Sequence, residues 1–242
     1  MAISFRHLIT GCAFIAAFLT AQAQVSAPVP KEVSLHFTVF ALGGMEGAAY
    51  RPLAGKSAQP LKFYSAYRSS TYAYKGATQL QFFDEKALGE GTAPIAIYNI
   101  PEGAKDMLLL FFPKPVPVAS GLKYDIFGID DNVDTMPAGH FKTINVSGRE
   151  YVGQYGGTRI TIPQGIGEVH PGRGRVALLL AAQVEGSWMS TGRHEFSMSA
   201  RDRVTLIFYP PASSTGVYPI IRRLTDTLPA PDEKGPHVVQ NP

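Results

Sequence analysis

A proline-terminated strand pair occurs twice in this sequence, and it constrains the fold more than any other feature. The apolar run at 107–112 ends at Pro113, and a second strand-like segment begins at Tyr124. The arrangement returns at 204–209, which ends at Pro210, 97 positions after Pro113. Proline cannot donate to a β-ladder, so it marks the end of each strand. A repeat of this length predicts two related β domains in tandem.

The length of 242 residues is sufficient for two such domains, each with a core of its own. Short apolar segments at regular spacing, without a convincing helical stretch between them, are typical of a sandwich. We therefore predict an all-β protein with two tandem antiparallel β-sandwich domains of immunoglobulin-like type, following a signal peptide. The predicted domains are 33–135 and 136–228, with a linker at 24–32 and a disordered tail at 229–242.

The predicted strands follow from alternating or continuous apolar patterns bounded by glycine and proline. The segment 176–182 is apolar on both faces, which favours a central strand and leaves a buried helix as the alternative. Within the repeat, we expect 147–156 to correspond to 70–76, 159–162 to 79–82, and 176–182 to 95–99. The strands of the first half are predicted at 33–42, 61–67, 71–74, 79–83 and 95–100. The second half adds a strand at 141–146 and a hairpin turn at 190–192.

The N-terminus has the composition of a secretory signal peptide. Arg6 precedes an apolar run at 8–20, and Ala21-Gln22-Ala23 fits an A-x-A cleavage site. We expect cleavage after Ala23 and a periplasmic or secreted mature protein without a membrane span. Two alternatives stay open, namely lipidation at Cys12, which lies in a lipobox-like context, and an uncleaved anchor. Cys12 is the only cysteine, so the cleaved chain has no disulfide or catalytic thiol.

Two stretches of the second half carry a family resemblance. The first comprises residues 130–139 and 141–148, and the second comprises residues 186–188 and 203–208. In these stretches the chain resembles a group of secreted bacterial β-sandwich proteins, found mainly in Verrucomicrobia and relatives. The resemblance implies export and a β-sandwich fold. The group has no assigned activity, so it supplies no functional residues to carry over.

An acidic segment marks the predicted domain boundary. Asp130, Asn132 and Asp134 place oxygen atoms at alternate positions, as calcium loops do at their start, and they are the candidate metal ligands. The glycine and the distal acidic residue of an EF-hand are missing, which favours a solvated interdomain loop without a metal. We expect replacement of Asp130, Asp131 and Asp134 by asparagine to change stability little. Docking energy between the domains should come mostly from apolar contact.

Aromatic residues are the one pattern with binding potential. Exposed rings on a rigid sheet can stack on sugar faces, and the same residues are equally suited to a sandwich core. Tyr72 and Tyr74 share a strand face because they are two positions apart. The candidate ligand-binding residues are Tyr64, Tyr67, Tyr72, Tyr74 and Trp188.

No catalytic constellation is recognisable in the sequence. The S-x-x-K match at 120–123 lies between two predicted strands and lacks its partner motifs, and the histidines are too scattered to predict a metal site. A net charge of +3 does not indicate a nucleic-acid partner. We expect an exported, non-catalytic cell-envelope protein, without a cofactor, that acts as an assembly, adaptor or interaction module on an envelope protein. The alternative is a carbohydrate-binding module that binds a glycan, and an enzyme is the third choice.

Overall fold

Sixteen β-strands and a short 3-10 helix at Glu85–Ala87 make up the secondary structure of the described chain. The computed structural model describes residues 32–42, 45, 47–53, 57–89, 91–114, 121–213 and 215–230, and these belong to one compact unit. The predicted signal peptide, Cys12, residues 24–31 of the linker and residues 231–242 of the tail lie outside them. All-β architecture is confirmed, and the immunoglobulin-like type stays a prediction.

The first eight strands form two sheets of four. Sheet I has the order β3-β2-β5-β6, and sheet II has the order β4-β1-β7-β8. The strand bounds are β1 (Val33–Ala41), β2 (Ala48–Tyr50), β3 (Gln59–Pro60), β4 (Tyr72–Gly76), β5 (Gln79–Asp84), β6 (Ala96–Asn99), β7 (Asp106–Pro113) and β8 (Tyr124–Asp130).

The last eight strands repeat this arrangement. Sheet III has the order β12-β9-β15-β16, and sheet IV has the order β11-β10-β13-β14. Adding eight to each strand number of sheets II and I gives the orders of sheets III and IV, so the two halves share one topology. The bounds are β9 (His140–Asn145), β10 (Tyr151–Tyr155), β11 (Thr158–Ile162), β12 (Gly165–Pro171), β13 (Gly174–Val184), β14 (Ser187–Met198), β15 (Asp202–Tyr209) and β16 (Ile220–Thr227).

Three apolar clusters hold the four sheets in the order I, II, III, IV. One cluster joins sheets I and II around Phe37, Phe82 and Phe111, and another joins sheets III and IV around Phe141 and Phe208. Alternation along β7 sends Leu109 and Phe111 into the first core and the intervening Leu110 to the opposite side. The central strands of sheets II and III, namely β1, β7, β9 and β15, are therefore apolar on both faces.

The third cluster lies between sheets II and III, in a contact that we call the seam. It consists of apolar side chains from both halves, and the share of the docking energy that they supply stays a prediction. Its buried members are Phe40, Leu108, Leu110, Ile129, Ile144, Ile207, Tyr209 and Leu224. The predicted division at 135/136 falls between the last strand of sheet II and the first strand of sheet III, and the independence of the two domains stays a prediction.

The sheets are not purely antiparallel, in contrast to the expectation. In sheet II, β1 pairs with β7 in parallel, and in sheet III, β9 pairs with β15 in parallel. A parallel pair needs a crossover between its strands, and here the chain builds the other sheet of the same half during that crossover. The last two strands of each half are thus the Pro-terminated strand pair, β7 with β8 and β15 with β16.

Two further details of the sequence prediction are wrong. Residues 61–67 form no strand; the third strand is limited to Gln59–Pro60. The internal correspondences are also shifted, because the topology relates β13 to β5, β10 to β2 and β11 to β3. Short β-strands resemble one another in sequence mainly because they share an alternation of apolar residues. Several strands of one sandwich have this alternation, so it does not show which strands correspond.

Candidate binding site

The outer side of sheet IV exposes two large apolar side chains on neighbouring strands. Leu179 on β13 and Trp188 on β14 point away from the core and are 50% and 47% exposed. They surround a shallow cavity of about 510 Å³. We call this surface the Trp188 face and define it by Val152, Gln154, Arg159, Leu179, Ala181, Trp188 and Ser190.

A two-residue turn places Trp188 on this face. Val184 pairs with Ser187, and the connecting Glu185 and Gly186 both have positive φ, of 48° and 81°. Positive φ at both central positions matches the twist of a two-stranded ribbon. The hairpin turn therefore lies before Trp188, and the prediction of a turn at 190–192 is wrong. That segment continues β14, with a break in register between Leu180 and Ala181.

Arg159 and Trp188 interact across the sheet. The guanidinium carbon of Arg159, on β11, lies 5.5 Å from the centroid of the Trp188 ring, on β14. Such a cation–π contact holds both side chains in place and leaves the indole half exposed. Gln154 and Ser190 add an amide and a hydroxyl group beside the ring.

Charged residues on β13 and β14 lie next to the Trp188 face. Arg175 donates through Nε to Glu195 Oε2 at 3.0 Å, and Arg193 pairs with the other carboxylate oxygen. The Arg175 side chain beside Glu195 lowers the pKa of this carboxyl group. With Arg159 included, three cations face one anion, so the outer side of sheet IV is basic.

The strands of sheet I expose no large apolar side chain among the described residues, so the apolar exposure of sheet IV has no counterpart in the first half. Phe83 on β5 points outward but is only 3% exposed, and Arg51 lies over its ring at 4.7 Å. β5 corresponds to β13, where Leu179 is half exposed. One topology therefore presents two different outer surfaces.

The structure does not bring the predicted aromatic residues together. Tyr72 is buried in sheet II, and its hydroxyl accepts a hydrogen bond from Lys62 N at 2.8 Å. Tyr74 is half-buried against the first core and donates to Ala77 O. The half-buried rings of Tyr64 and Tyr67 contact each other, with centroids 4.4 Å apart. Of the five predicted residues, Trp188 alone belongs to the exposed face.

The acidic loop uses its side chains as turn caps. Asp130 Oδ1 accepts from Asn132 N at 3.0 Å, and Asn132 Oδ1 accepts from Asp134 N at 3.0 Å. These are Asx turns, in which the side chain replaces a backbone acceptor. Across the residues that the structure describes, no group of three or more histidine, cysteine, aspartate or glutamate side chains is placed to hold a metal ion.

Asp131 departs from the expectation of a solvated loop. Its side chain is 10% exposed, and Oδ2 accepts from Arg68 Nη1 at 2.5 Å. Arg203, on β15 of the other half, donates to Asp131 O at 2.6 Å and pairs with Asp226 on β16. Asp131 therefore belongs to a buried ion network at the seam, and its replacement by asparagine will not be neutral.

Lys142 on β9 is the third cation of this network. It is 4% exposed and donates from Nζ to Asp130 O at 3.0 Å. Burial lowers the pKa of Lys142 to about 8; Asp131 and Asp130 oppose this shift, and Arg68 and Arg203 reinforce it. Like charges and desolvation together make the protonated amine costly in the folded state.

We expect the free energy of unfolding to rise between pH 8 and pH 9.5. Below pH 8 Lys142 is protonated in both states, and the folded state carries the full penalty because the pKa of Lys142 is lowered to about 8. Above pH 8 Lys142 loses its proton in the folded state. In the unfolded chain it stays protonated to higher pH, because the pKa of a lysine there is about 10.4. Stability then increases by up to about 1.4 kcal/mol per pH unit, which urea unfolding at several pH values measures.

Lys142→Met is the control for this slope, because it removes the titrating group and keeps an apolar side chain of similar length. Its stability should be flat over the same interval. Above pH 10 both proteins should lose stability, since burial raises the pKa of Tyr50 and Tyr98 to about 12 and the unfolded chain ionises first. An equal slope in both proteins would contradict the assignment to Lys142.

Sequence reasoning missed most residues of the face and of the network. Arg203 carried a usable signal, since it begins a strand that is apolar on both faces, where a charge needs a partner. Arg68 carried no such signal, because it lies in an irregular segment. Ser69 N donates to Val39 O at 2.9 Å, and Val39 N donates to Ser69 Oγ at 2.8 Å, which fixes the segment beside β1.

No family model matches the sequence, and no curated protein matches it. Among the described residues, no helix has the length and apolar character needed to span a membrane.

Proposed function

We propose that this protein is an exported, non-catalytic interaction module of the cell envelope that binds a partner protein through the Trp188 face. The observation that carries the proposal is the half-exposed pair Leu179 and Trp188 on sheet IV, whereas the strands of the corresponding sheet I expose no large apolar side chain among the described residues. Export rests on the N-terminal sequence, with its apolar run and A-x-A site.

The composition of the face favours a protein partner. Tryptophan and arginine are enriched among the residues that dominate binding energy in protein interfaces, and Arg159 and Trp188 are already ordered by their mutual contact. Ordering before binding reduces the entropy that association must overcome. The basic rim of Arg175 and Arg193 selects an acidic surface around an apolar centre.

A glycan is the second candidate partner, because Gln154 and Ser190 lie beside the exposed indole in the same cavity. A ring with neighbouring hydrogen-bonding groups suits the apolar face and the hydroxyls of a sugar. Arg159 lies over the Trp188 ring and competes for the stacking surface that a sugar would use. This contact ranks the glycan below a protein partner.

Photo-crosslinking in the native envelope tests the proposal. A benzophenone side chain introduced at Ser190, which lines the cavity of the face, should yield one adduct of discrete mass. Trp188→Ala should reduce this adduct by about 30-fold or more, since a central tryptophan contributes about 2 kcal/mol or more to binding. Added salt should also weaken the adduct because the rim is charged.

Asn99 is the matched control position. It is exposed at the edge strand of sheet I, as Ser190 is on the edge strand of sheet IV. Adducts of equal yield from both positions, or an adduct insensitive to Trp188→Ala, would refute the protein-partner proposal. Binding on a glycan array that is lost in Trp188→Ala, with no protein adduct, would establish the glycan instead.

A further inference from the structure

A second cavity, distinct from the Trp188 face, opens at one end of the seam between sheets II and III. Its volume is about 540 Å³, within the range of about 300–1,000 Å³ typical of small-molecule sites. We call it the seam cavity. Its walls include Thr38, Arg68 and Asp131 from the first half and Arg203 and Asp226 from the second.

Three residues of this wall carry buried polar atoms without a hydrogen-bond partner among the described residues. They are Thr38 Oγ1, Asp131 Oδ1, and both Nε and Nη2 of Arg68. Buried polar groups are rarely left unpaired, so a concentration of four such atoms in one cavity wall needs a cause. A bound ligand that supplies both acceptors and a donor would satisfy them together.

The unpaired atoms of Arg68 define one part of that ligand. Nε and Nη2 lie on the same edge of the guanidinium, which matches a carboxylate through two parallel hydrogen bonds. Arg203 provides an internal precedent, since it donates from its own Nε and Nη2 to Asp226 Oδ2. Arg68 already donates from Nη1 to Asp131, which holds its free edge in a fixed orientation.

The unpaired edge of Arg68 indicates an anionic group. Arg68 and Arg203 line the cavity together with three carboxylates, those of Asp106, Asp131 and Asp226. Asp131 pairs with Arg68, and Asp226 pairs with Arg203. The anionic group of a ligand is therefore specified by the free Nε and Nη2 of Arg68 and not by an excess of positive charge. The unpaired Asp131 Oδ1 requires in addition a donor close to the anionic group.

We propose that the seam cavity binds a small hydroxy-carboxylate. The carboxylate accepts from Nε and Nη2 of Arg68, and a neighbouring hydroxyl donates to Asp131 Oδ1, with Thr38 Oγ1 as a further partner. A sugar acid and a free hydroxy acid share this chemistry. The site draws its walls from both halves of the chain, so its occupant would also bridge the seam.

Calorimetric titration of the purified mature chain tests this site. The probes are galacturonate, lactate, galactose, which has hydroxyls without the carboxylate, and acetate, which has the carboxylate alone. Galacturonate or lactate should bind at least tenfold more tightly than galactose and acetate, and should raise the melting temperature. Tighter binding of galacturonate identifies a sugar acid as the occupant, and tighter binding of lactate identifies a free hydroxy acid.

Variants separate this site from a general effect on stability. Arg68→Lys keeps the charge but lacks the two-donor edge, and it should weaken binding at least tenfold. Thr38→Val removes an unpaired hydroxyl, should fold normally and should weaken binding several-fold. Thr191→Val is the matched control, because Thr191 Oγ1 is also buried and unpaired but belongs to sheet IV. It should leave binding unchanged.

Three results would overturn the proposal: no heat and no thermal shift with any probe, acetate binding as tightly as both hydroxy acids, or unchanged affinity in both Arg68→Lys and Thr38→Val. Loss of binding in Trp188→Ala would assign the ligand to the Trp188 face and overturn it as well. Failure of the partner-protein proposal would leave these outcomes unaffected, since the two sites share no residue.

Discussion

Asp131→Asn should lower the free energy of unfolding by about 3–5 kcal/mol, the range seen when one partner of a buried ion pair is removed. Asp131 is the carboxylate that faces Arg68, and Arg203 Nη2 lies 3.6 Å from the same oxygen. Asparagine preserves the shape of the side chain but leaves Arg68 charged, nearly fully buried and without an anion. Urea unfolding of the two purified proteins at pH 7 measures the difference.

Asp130→Asn and Asp134→Asn are matched controls in the same loop. Both side chains are exposed, and asparagine can form the same Asx turn as Asp130 does. We expect a change within about 0.5 kcal/mol for each control. The double variant Arg68→Met with Asp131→Leu should recover much of the loss, because it removes both charges and fills the space. A loss below about 1 kcal/mol for Asp131→Asn would disprove the network.

The repeated strand pair was predictable because its signal is local. A segment that is apolar on both faces and is followed by a proline specifies a buried strand that ends at the proline. Both β7 and β15 end where the prolines predict. The stacking of sheets II and III also follows, since β7 has more apolar residues than one core can bury. The order of the strands between these runs is set by tertiary pairing, which short alternating segments do not encode.

The binding surfaces were harder to predict for a physical reason. Arg68 lies 63 positions from Asp131, and Asp131 lies 72 positions from Arg203, so the network exists only after four sheets have stacked. Trp188 could be named from its residue type, but its exposure depends on the turn at Glu185 and Gly186. The four tyrosines have the same chemistry and serve packing or local hydrogen bonds instead.

Leu108→Asp should separate the two halves of the protein without unfolding either core. Leu108 is fully buried in the seam, on the face of β7 that contacts sheet III. A carboxylate there carries a desolvation penalty of roughly several kcal/mol, which opening of the seam to water would relieve. We expect calorimetry to record two thermal transitions where the wild type has one, and small-angle scattering to record a larger radius of gyration.

Leu109→Asp is the control that distinguishes opening of the seam from disruption of a core. Leu109 is the next residue of the same strand, is equally buried, and points into the core between sheets I and II. Because a one-residue step along a strand changes the face, the same substitution should here unfold the first half and leave a single transition from the second. If Leu108→Asp instead abolished all structure, the halves would depend on each other for folding, and the division at 135/136 would mark a repeat but no domain boundary.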